Sequence, residues 1–431
     1  MFNKSIIVLA AGAGTRMKSD TPKVLHKISG KPMLYYSIKE ALKLSDDITV
    51  VLFHQASRVQ AEMEKYFSNI NFVIQDHANY PGTGGAVMGI TPKYEKVLVL
   101  NGDMPLIQSN ELEKFEIDAT IVMSVLELES ADGYGRVIIE NGNVKKIVEQ
   151  KDATEAELAI TTANAGIYQF ETKFLLENLP KLNNSNAQKE YYITDLIEMA
   201  IEQGKVLKPL VVNEENFKGV NSKVELADAE VIHQNRIKKE FLKAGVIMRL
   251  PDTIYIEEGV QIEGESIIEN GVSLLGNSKI VNSHIKTNSV VEDSIVVDSD
   301  VGPMGRIRPG SELNKTHIGN FVETKKAILN GVKAGHLSYL GDCSIDEGTN
   351  IGCGTITCNY DGVNKHQTII GKNVFVGSDT QFVAPVNIED DVLIGAGSTV
   401  TGDVKKGELY LTRAKAKTIA GYFYKHFSSK K

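Results

Sequence analysis

The sequence predicts two folds in one chain: an α/β, Rossmann-like domain followed by a left-handed parallel β-helix of hexapeptide repeats. Three observations predict them. A glycine-rich turn sits directly behind an N-terminal apolar strand, apolar strands then alternate with amphipathic stretches to about Val220, and beyond Pro251 aliphatic residues recur every six positions.

The first element, Ser5 to Leu9, is a short apolar run of the kind that forms a buried parallel strand. It opens into Leu9-Ala10-Ala11-Gly12-Ala13-Gly14-Thr15-Arg16-Met17, with Pro22-Lys23 shortly after. The glycines allow a tight turn whose N–H groups can face phosphate, and Arg16 and Lys23 add fixed positive charge. The spacing matches neither the Walker P-loop nor the full Rossmann fingerprint, so the turn alone names a phosphate cradle and no more. Ile48 to Phe53, Phe72 to Gln75, Val97 to Leu100 and Ile121 to Leu126 read as further strands. Asp103 follows the strand Lys96 to Leu100, so its carboxylate falls at a strand's C-terminal edge, where open α/β sheets bind ligands. Magnesium takes one or two such hard oxygens and fills its shell with water and substrate phosphates.

Ser222-Lys223-Val224-Glu225 has the form of a capping box, and the charged stretch behind it runs through Phe241 and Leu242 to a stop at Gly245. This predicts a linker helix over 222–247, between an α/β domain at 1–221 and a β-helix domain with a C-terminal tail at 248–431. In the last part Ile256, Ile262, Ile268, Leu274 and Ile280 stand six apart, and the step resumes at Ile345 and Ile351, at Ile369 and Phe375, and at Ile388, Ile394 and Val400. Neither a helix nor a flat strand keeps a period of six aligned. A coil with three short sides does, one aliphatic residue pointing inward from each side. Residues Gly354 to Thr368 break the register and carry Asn359-Tyr360-Asp361-Gly362, which predicts a projecting loop.

A chain of 431 residues with 42% hydrophobic content can build large cores without disulfide or metal staples. Its net charge of -8 argues against a general nucleic-acid binder. The start carries no signal-peptide h-region and no run is long enough to span a bilayer, so a soluble cytoplasmic protein without membrane insertion is expected. Cys343, Cys353 and Cys358 lack paired metal-site spacing and read as free thiols.

The string Leu-x-x-Gly-x-Gly-Thr-x-Met-x4-Pro-Lys resembles the signature of sugar-1-phosphate nucleotidyltransferases. Further motifs are Gly133-Tyr134-Gly135-Arg136, Ile147 to Thr154, Glu190-Tyr191-Tyr192-Ile193-Thr194-Asp195, Gly219-Val220-Asn221, Lys333 to Tyr339, Arg306 to Gly310 and Phe321 to Lys326. With these, essentially the whole chain resembles the bacterial family of bifunctional N-acetylglucosamine-1-phosphate uridyltransferase/glucosamine-1-phosphate acetyltransferases. The resemblance implies that Leu9, Ala10, Ala11, Gly12, Lys23, Gln75, Gly82, Thr83, Gly135, Glu149 and Asn164 hold UTP and the sugar. It implies Asp103 and Asn221 for Mg²⁺, and catalysis of uridylyl transfer by Arg16 and Lys23 with that ion. In the β-helix it implies His336 as the catalytic base of acetyl transfer, a role that suits histidine near neutral pH. Arg308, Lys325, Tyr339, Asn350 and Lys365 would then hold glucosamine 1-phosphate. Cys353, Asn359, Tyr360, Ser378, Ala396 and Arg413 would contact acetyl-CoA. Family members are homotrimers, with acetyltransferase sites built between neighbouring subunits. Asn101 stands where the family pattern has tyrosine, and Ala13 where it often has lysine. A nucleotidyltransferase with a purely structural β-helix and a non-catalytic assembly subunit are the rival readings. The presence of His336, Tyr339 and Lys365 opposes the first, and that of Asp103 and Lys23 the second.

Overall fold

The structure, a computed structural model, describes residues 3–131, 134–148, 150, 153–186 and 188–427. The chain divides into two compact units, Met1–His233 and Gln234–Lys431.

In the first unit the strands are β1 (Lys4–Ala10), β2 (Ile48–Leu52), β3 (Asn71–Ile74), β4 (Lys96–Asn101), β5 (Ile121–Glu127), β6 (Arg136–Glu140), β7 (Asn143–Val148), β8 (Thr162–Glu171) and β9 (Leu207–Val211). The sheet runs β9-β5-β8-β4-β1-β2-β3. Its neighbours are parallel except β8, which lies antiparallel between β4 and β5. The antiparallel hairpin β6–β7 joins through β8. Alternate residues of the central strands feed separate cores: Ile6, Val8, Leu98 and Leu100 enter one, Ile7, Val97 and Val99 the other. Burial on both faces explains why these strands read as unbroken apolar runs.

The strands β2 and β3 end one residue earlier than the apolar pattern predicts. That releases Phe53 and Gln75 to the same C-terminal sheet edge that carries the glycine turn after β1 and Asp103 after β4. A long helix, Lys223–Lys243, begins at the predicted capping box, and the division between the units falls within it after His233. The Ser222 hydroxyl accepts from the Glu225 N–H at 3.3 Å, and the Glu225 carboxylate accepts the Asn221 N–H at 2.8 Å.

The second unit is the predicted β-helix, three ladders of inward residues paired in parallel register from coil to coil. Ile256, Leu274, Val291, Ile307, Thr324 and Leu340 form one. Ile262, Ile280, Val296, Leu313, Leu329, Ile345, Ile370 and Ile388 form the second. The third is Ile268, Ile285, Val301, Ile318, Ala334, Ile351, Val376 and Ile394. The six-residue step therefore reads the inward positions correctly, except at Ile369 and Phe375. These are 45% and 54% exposed, and their neighbours Ile370 and Val376 fill the core. The preceding loop resets the register by one residue, and because both members of each pair are apolar, the pattern cannot tell which one turns in.

The interruption is shorter than expected. Ile356–Cys358 stays in the ladder as a strand, and residues 359–366 form a finger closed by the Tyr360–Lys365 bridge. Asp361 holds its tip, accepting the Val363 and Asn364 N–H groups and pairing with His366 at 2.7 Å. The opposite end of the solenoid, its first coil, is closed by side chains of the long helix. Gln234 donates to the Ile256 carbonyl at 2.6 Å and accepts the Ile256 N–H at 3.0 Å, as a neighbouring strand would. Lys238 donates to the Pro251 carbonyl at 2.9 Å, and burial lowers its affinity for the proton.

Candidate active sites

In the first unit the sheet edge opens into two adjoining cavities. One, of about 410 Å³, is lined by Leu9 to Ala13, Lys23, Phe53, Gln75, His77, Gly82, Thr83, Asn101 and Asp103. The other, of about 290 Å³, is lined by Asn101, Asp103, Tyr134, Asn164, Gly219, Asn221 and Glu225. Asn101 and Asp103 face both. The Lys23 ammonium is paired with the Asp103 carboxylate and donates to the Asn221 side-chain carbonyl at 2.8 Å, and Arg16 reaches the same oxygen at 2.8 Å.

Local backbone explains this convergence. Gly14 has φ 63°, and a Cβ there would stand 2.5 Å from the Cβ of Lys23, so only glycine lets the lysine fold across the turn. Gly82 has φ 92°, and its missing Cβ would meet the Tyr191 carbonyl at 2.6 Å. That close approach is held by Tyr191 N–H to Pro81 and Gly84 N–H to Tyr191, both 2.8 Å.

Gln75 is buried, and its amide NH₂ donates to the carbonyls of Tyr80 at 2.9 Å and Gly82 at 3.0 Å. Its free polar capacity is therefore the acceptor oxygen. Asn164 is fixed by Tyr168, by Gly166 and by its own N–H on the Gly135 carbonyl. Asn101 donates to the Gly166 carbonyl at 3.1 Å. Glu149 lies outside the described residues.

The oxygen pair Asp103 and Asn221 fits a magnesium ion, since both already converge on one cation, the Lys23 ammonium. Among the described residues no group of three or more His, Cys, Asp or Glu side chains could hold a metal alone. Substrate oxygens would complete the shell, as magnesium sites commonly require.

In the second unit the predicted residues gather in two places. Arg308 and Lys325 are register partners on adjacent coils, and Glu323 pairs with Tyr339 one coil on. Glu323 accepts from Arg308 at 2.7 Å. The Lys365 amine beside Lys325 holds that lysine below its usual range, with burial and the Arg308 charge adding and Asp342 opposing. Three cations crowded with one short-range carboxylate partner leave an excess of positive charge that suits a multiply charged anion. Asn359 is anchored by Asp342 at the base of the finger, so Lys365 and Tyr360 ride on a fixed support.

The other gathering is an edge of the prism. His336, Cys353, Ser378 and Ala396 each lie two residues past the inward positions Ala334, Ile351, Val376 and Ile394, which pair coil to coil. All four are exposed. Backbone bonds continue the edge: Leu337 to Asn320, Gly354 to Leu337, Asp379 to Cys353 and Gly397 to Ser378. Arg413 ends it, its guanidinium donating to the Ala396 carbonyl at 3.2 Å.

Known families and proteins resemble this chain in both units. The family of MobA-like NTP transferase domains matches residues 6–117, and the bacterial transferase hexapeptide family, of six repeats, matches residues 367–402. A protein of Aliarcobacter butzleri called bifunctional protein GlmU is 93% identical over 431 residues, all of both chains. The chain belongs to the GlmU family. GlmU proteins of Wolinella succinogenes, 63% identical over the full length of both, and Campylobacter lari, 53% identical over 98% of this chain and 99% of that one, extend the likeness. Membership fixes a nucleotide-using transferase unit and a hexapeptide transferase unit in one enzyme. No helix among the described residues is long and apolar enough to cross a membrane.

Four neighbours of these GlmU-type sites escaped the sequence reading. Glu225 holds the Asn221 backbone and lines the smaller cavity; its capping-box spacing was visible, its second task was not. Tyr168 orients Asn164 from the same strand, a contact that a bulge in β8 produces. Phe53 and His77, stacked with ring centroids 4.3 Å apart, line the larger cavity.

Proposed function

We propose that the chain makes UDP-N-acetylglucosamine by two reactions at two sites. The β-helix unit acetylates glucosamine 1-phosphate from acetyl-CoA, and the α/β unit transfers uridylyl from UTP to the product. The observation that carries this reading is that one unit holds both an edge with His336, Cys353, Ser378 and Ala396 on successive rungs and the Arg308–Lys325–Lys365 cluster. A β-helix that only bound subunits together would need neither.

In the first reaction His336 takes the ammonium proton, the freed amine attacks the thioester carbonyl, and coenzyme A leaves as its thiol. Arg308, Lys325 and Lys365 hold the sugar's phosphate, with Tyr339 and Asn350 on neighbouring coils. The extended coenzyme follows the edge past Cys353, Ser378 and Ala396 to Arg413, with Asn359 and Tyr360 on its flank. In the second reaction a phosphate oxygen of N-acetylglucosamine 1-phosphate attacks the α-phosphorus of UTP and expels pyrophosphate, so no protein nucleophile is needed. Magnesium, when bound by Asp103 and Asn221, supplies charge neutralisation at the phosphates. Lys23 exchanges its Asp103 partner for a phosphate oxygen, and Arg16 adds charge as the transition state forms. Gln75 accepts a base N–H, Leu9 to Gly12, Gly82 and Thr83 line the nucleotide, and Asn164 and Gly135 lie on the sugar side.

We infer a cytoplasmic homotrimer assembled through the β-helix. The outward column Phe375, Leu393 and Leu409, paired coil to coil and each about half exposed, supports burial against a copy.

The test is to incubate the full chain with glucosamine 1-phosphate, acetyl-CoA, UTP and Mg²⁺, following thiol and pyrophosphate release. Sequential release of both is expected. Pyrophosphate released only from pre-acetylated sugar phosphate, without thiol release, would leave a nucleotidyltransferase on a structural β-helix.

A further inference from the structure

Phe53 and His77 emerge side by side from the ends of the adjacent parallel strands β2 and β3. Their rings lie nearly parallel, 10° apart, with centroids 4.3 Å apart. Both line the larger cavity beside Gln75, Gly82 and Thr83. Phe53 keeps 42% of its surface exposed, an apolar ring held open at a ligand cavity. The His77 ring nitrogens take no hydrogen-bond partner among the described residues.

Gln75 sharpens the question of what these rings do. Its amide NH₂ is spent on the Tyr80 and Gly82 carbonyls, so toward a ligand it offers an acceptor only. A uracil ring presents one N–H between two carbonyls and a flat π-face. An acceptor satisfies the N–H and leaves the carbonyls and the face unserved.

We propose that the Phe53–His77 stack is the aromatic wall of the base subsite and that His77 donates its ring N–H to the uracil 4-carbonyl, making the pair a determinant of base choice. This rests on reading the cavity as a uridine nucleotide site. The aromatic surface holds any pyrimidine by contact. The imidazole separates the two common ones by its protonation: its N–H meets the 4-carbonyl of uracil, whereas the 4-amino group of cytosine demands the other tautomer. Gln75 adds to the discrimination, since its locked acceptor would face the unprotonated ring nitrogen of cytosine.

The two contributions come apart in substitutions of the full chain assayed for pyrophosphate release with UTP and with CTP. His77→Phe keeps a ring in the stack and removes the donor. It is expected to lower the ratio of kcat/KM for UTP over CTP about tenfold while raising KM for UTP only about threefold. Phe53→Ala removes contact and is expected to raise KM for UTP about tenfold with kcat within about twofold and the ratio kept. Phe53→Trp should restore KM, which a general loss of fold would not allow. Acetyl transfer should be unchanged throughout. An active wild-type chain whose His77→Phe and Phe53→Ala forms keep KM and the UTP/CTP ratio within about twofold overturns the proposal alone. A wild-type chain that releases no pyrophosphate from UTP overturns the nucleotide reading and this proposal with it.

Discussion

The Lys23 ammonium pairs with the Asp103 carboxylate at the junction of two cavities, and the same ammonium donates to Asn221 at 2.8 Å. A lysine thus holds together the two oxygens that fit a divalent cation.

Removing the carboxylate should therefore cost the nucleotide reaction alone. Asp103→Ala is expected to lower uridylyl transfer about 10²- to 10³-fold, as loss of a preorganised electrostatic group does. Acetyl transfer in the same preparation should stand at the wild-type rate. Pyrophosphate release from N-acetylglucosamine 1-phosphate and UTP measures it, and an unaltered rate would remove Asp103 from the reaction.

His336→Ala gives the reciprocal result. Thiol release from acetyl-CoA should fall about 10²- to 10⁴-fold, the usual range for loss of a general base, with pyrophosphate release from supplied N-acetylglucosamine 1-phosphate preserved. Retained thiol release would place the base elsewhere on the edge.

The register correction makes a stability prediction. Ile370→Ala empties a core position and should destabilise the β-helix by about 2–4 kcal/mol. Ile369→Ser, one residue away and facing out, should cost about 0.5 kcal/mol or less. Urea unfolding followed by circular dichroism separates them, and equal costs would mean that the ladder does not run through Ile370.

Glu269 sets an acid limit. Burial alone would raise its pKa, but hydrogen bonds from the Thr287 hydroxyl and N–H, and from His284, outweigh it and hold the group down to about 2. A carboxylate depressed on folding contributes stability that is complete above its unfolded value, about 4.3, and that drains away as pH falls toward the folded value. Glu269→Gln should therefore cost on the order of 2 kcal/mol at pH 7. The gap between mutant and wild type should close between about pH 4.5 and pH 2. Thermal melts across that range measure it; a gap independent of pH would mean that the charge plays no part.

Features written in short local periods could be read before folding was known. The glycine turn, Asp103 behind its strand and the six-residue step all depend on neighbours within a few residues. Glu225 bonding Asn221 and Tyr168 orienting Asn164 span only four residues each, but they turn on a helix start and a bulge whose side-chain directions spacing does not encode, and Phe53 meeting His77 across two strands depends on tertiary approach. Ile369 and Ile370 mark an intermediate case. The period was legible there, but two adjacent isoleucines left its phase open after a loop of unconstrained length.

The hydrogen bonds from Gln234 to both backbone groups of Ile256 bear on how this solenoid stays finite. A stack of parallel coils ends in a row of unsatisfied N–H and C=O groups, a template onto which another chain's strand could add and from which fibres could grow. One amide side chain meets the donor and the acceptor of Ile256 in that row, and the Lys238 amine, within reach of the Asp252 charge, donates to the Pro251 carbonyl at the same end. The first coil is thereby capped by two side chains of the long helix, which occupy backbone groups that an added strand would need.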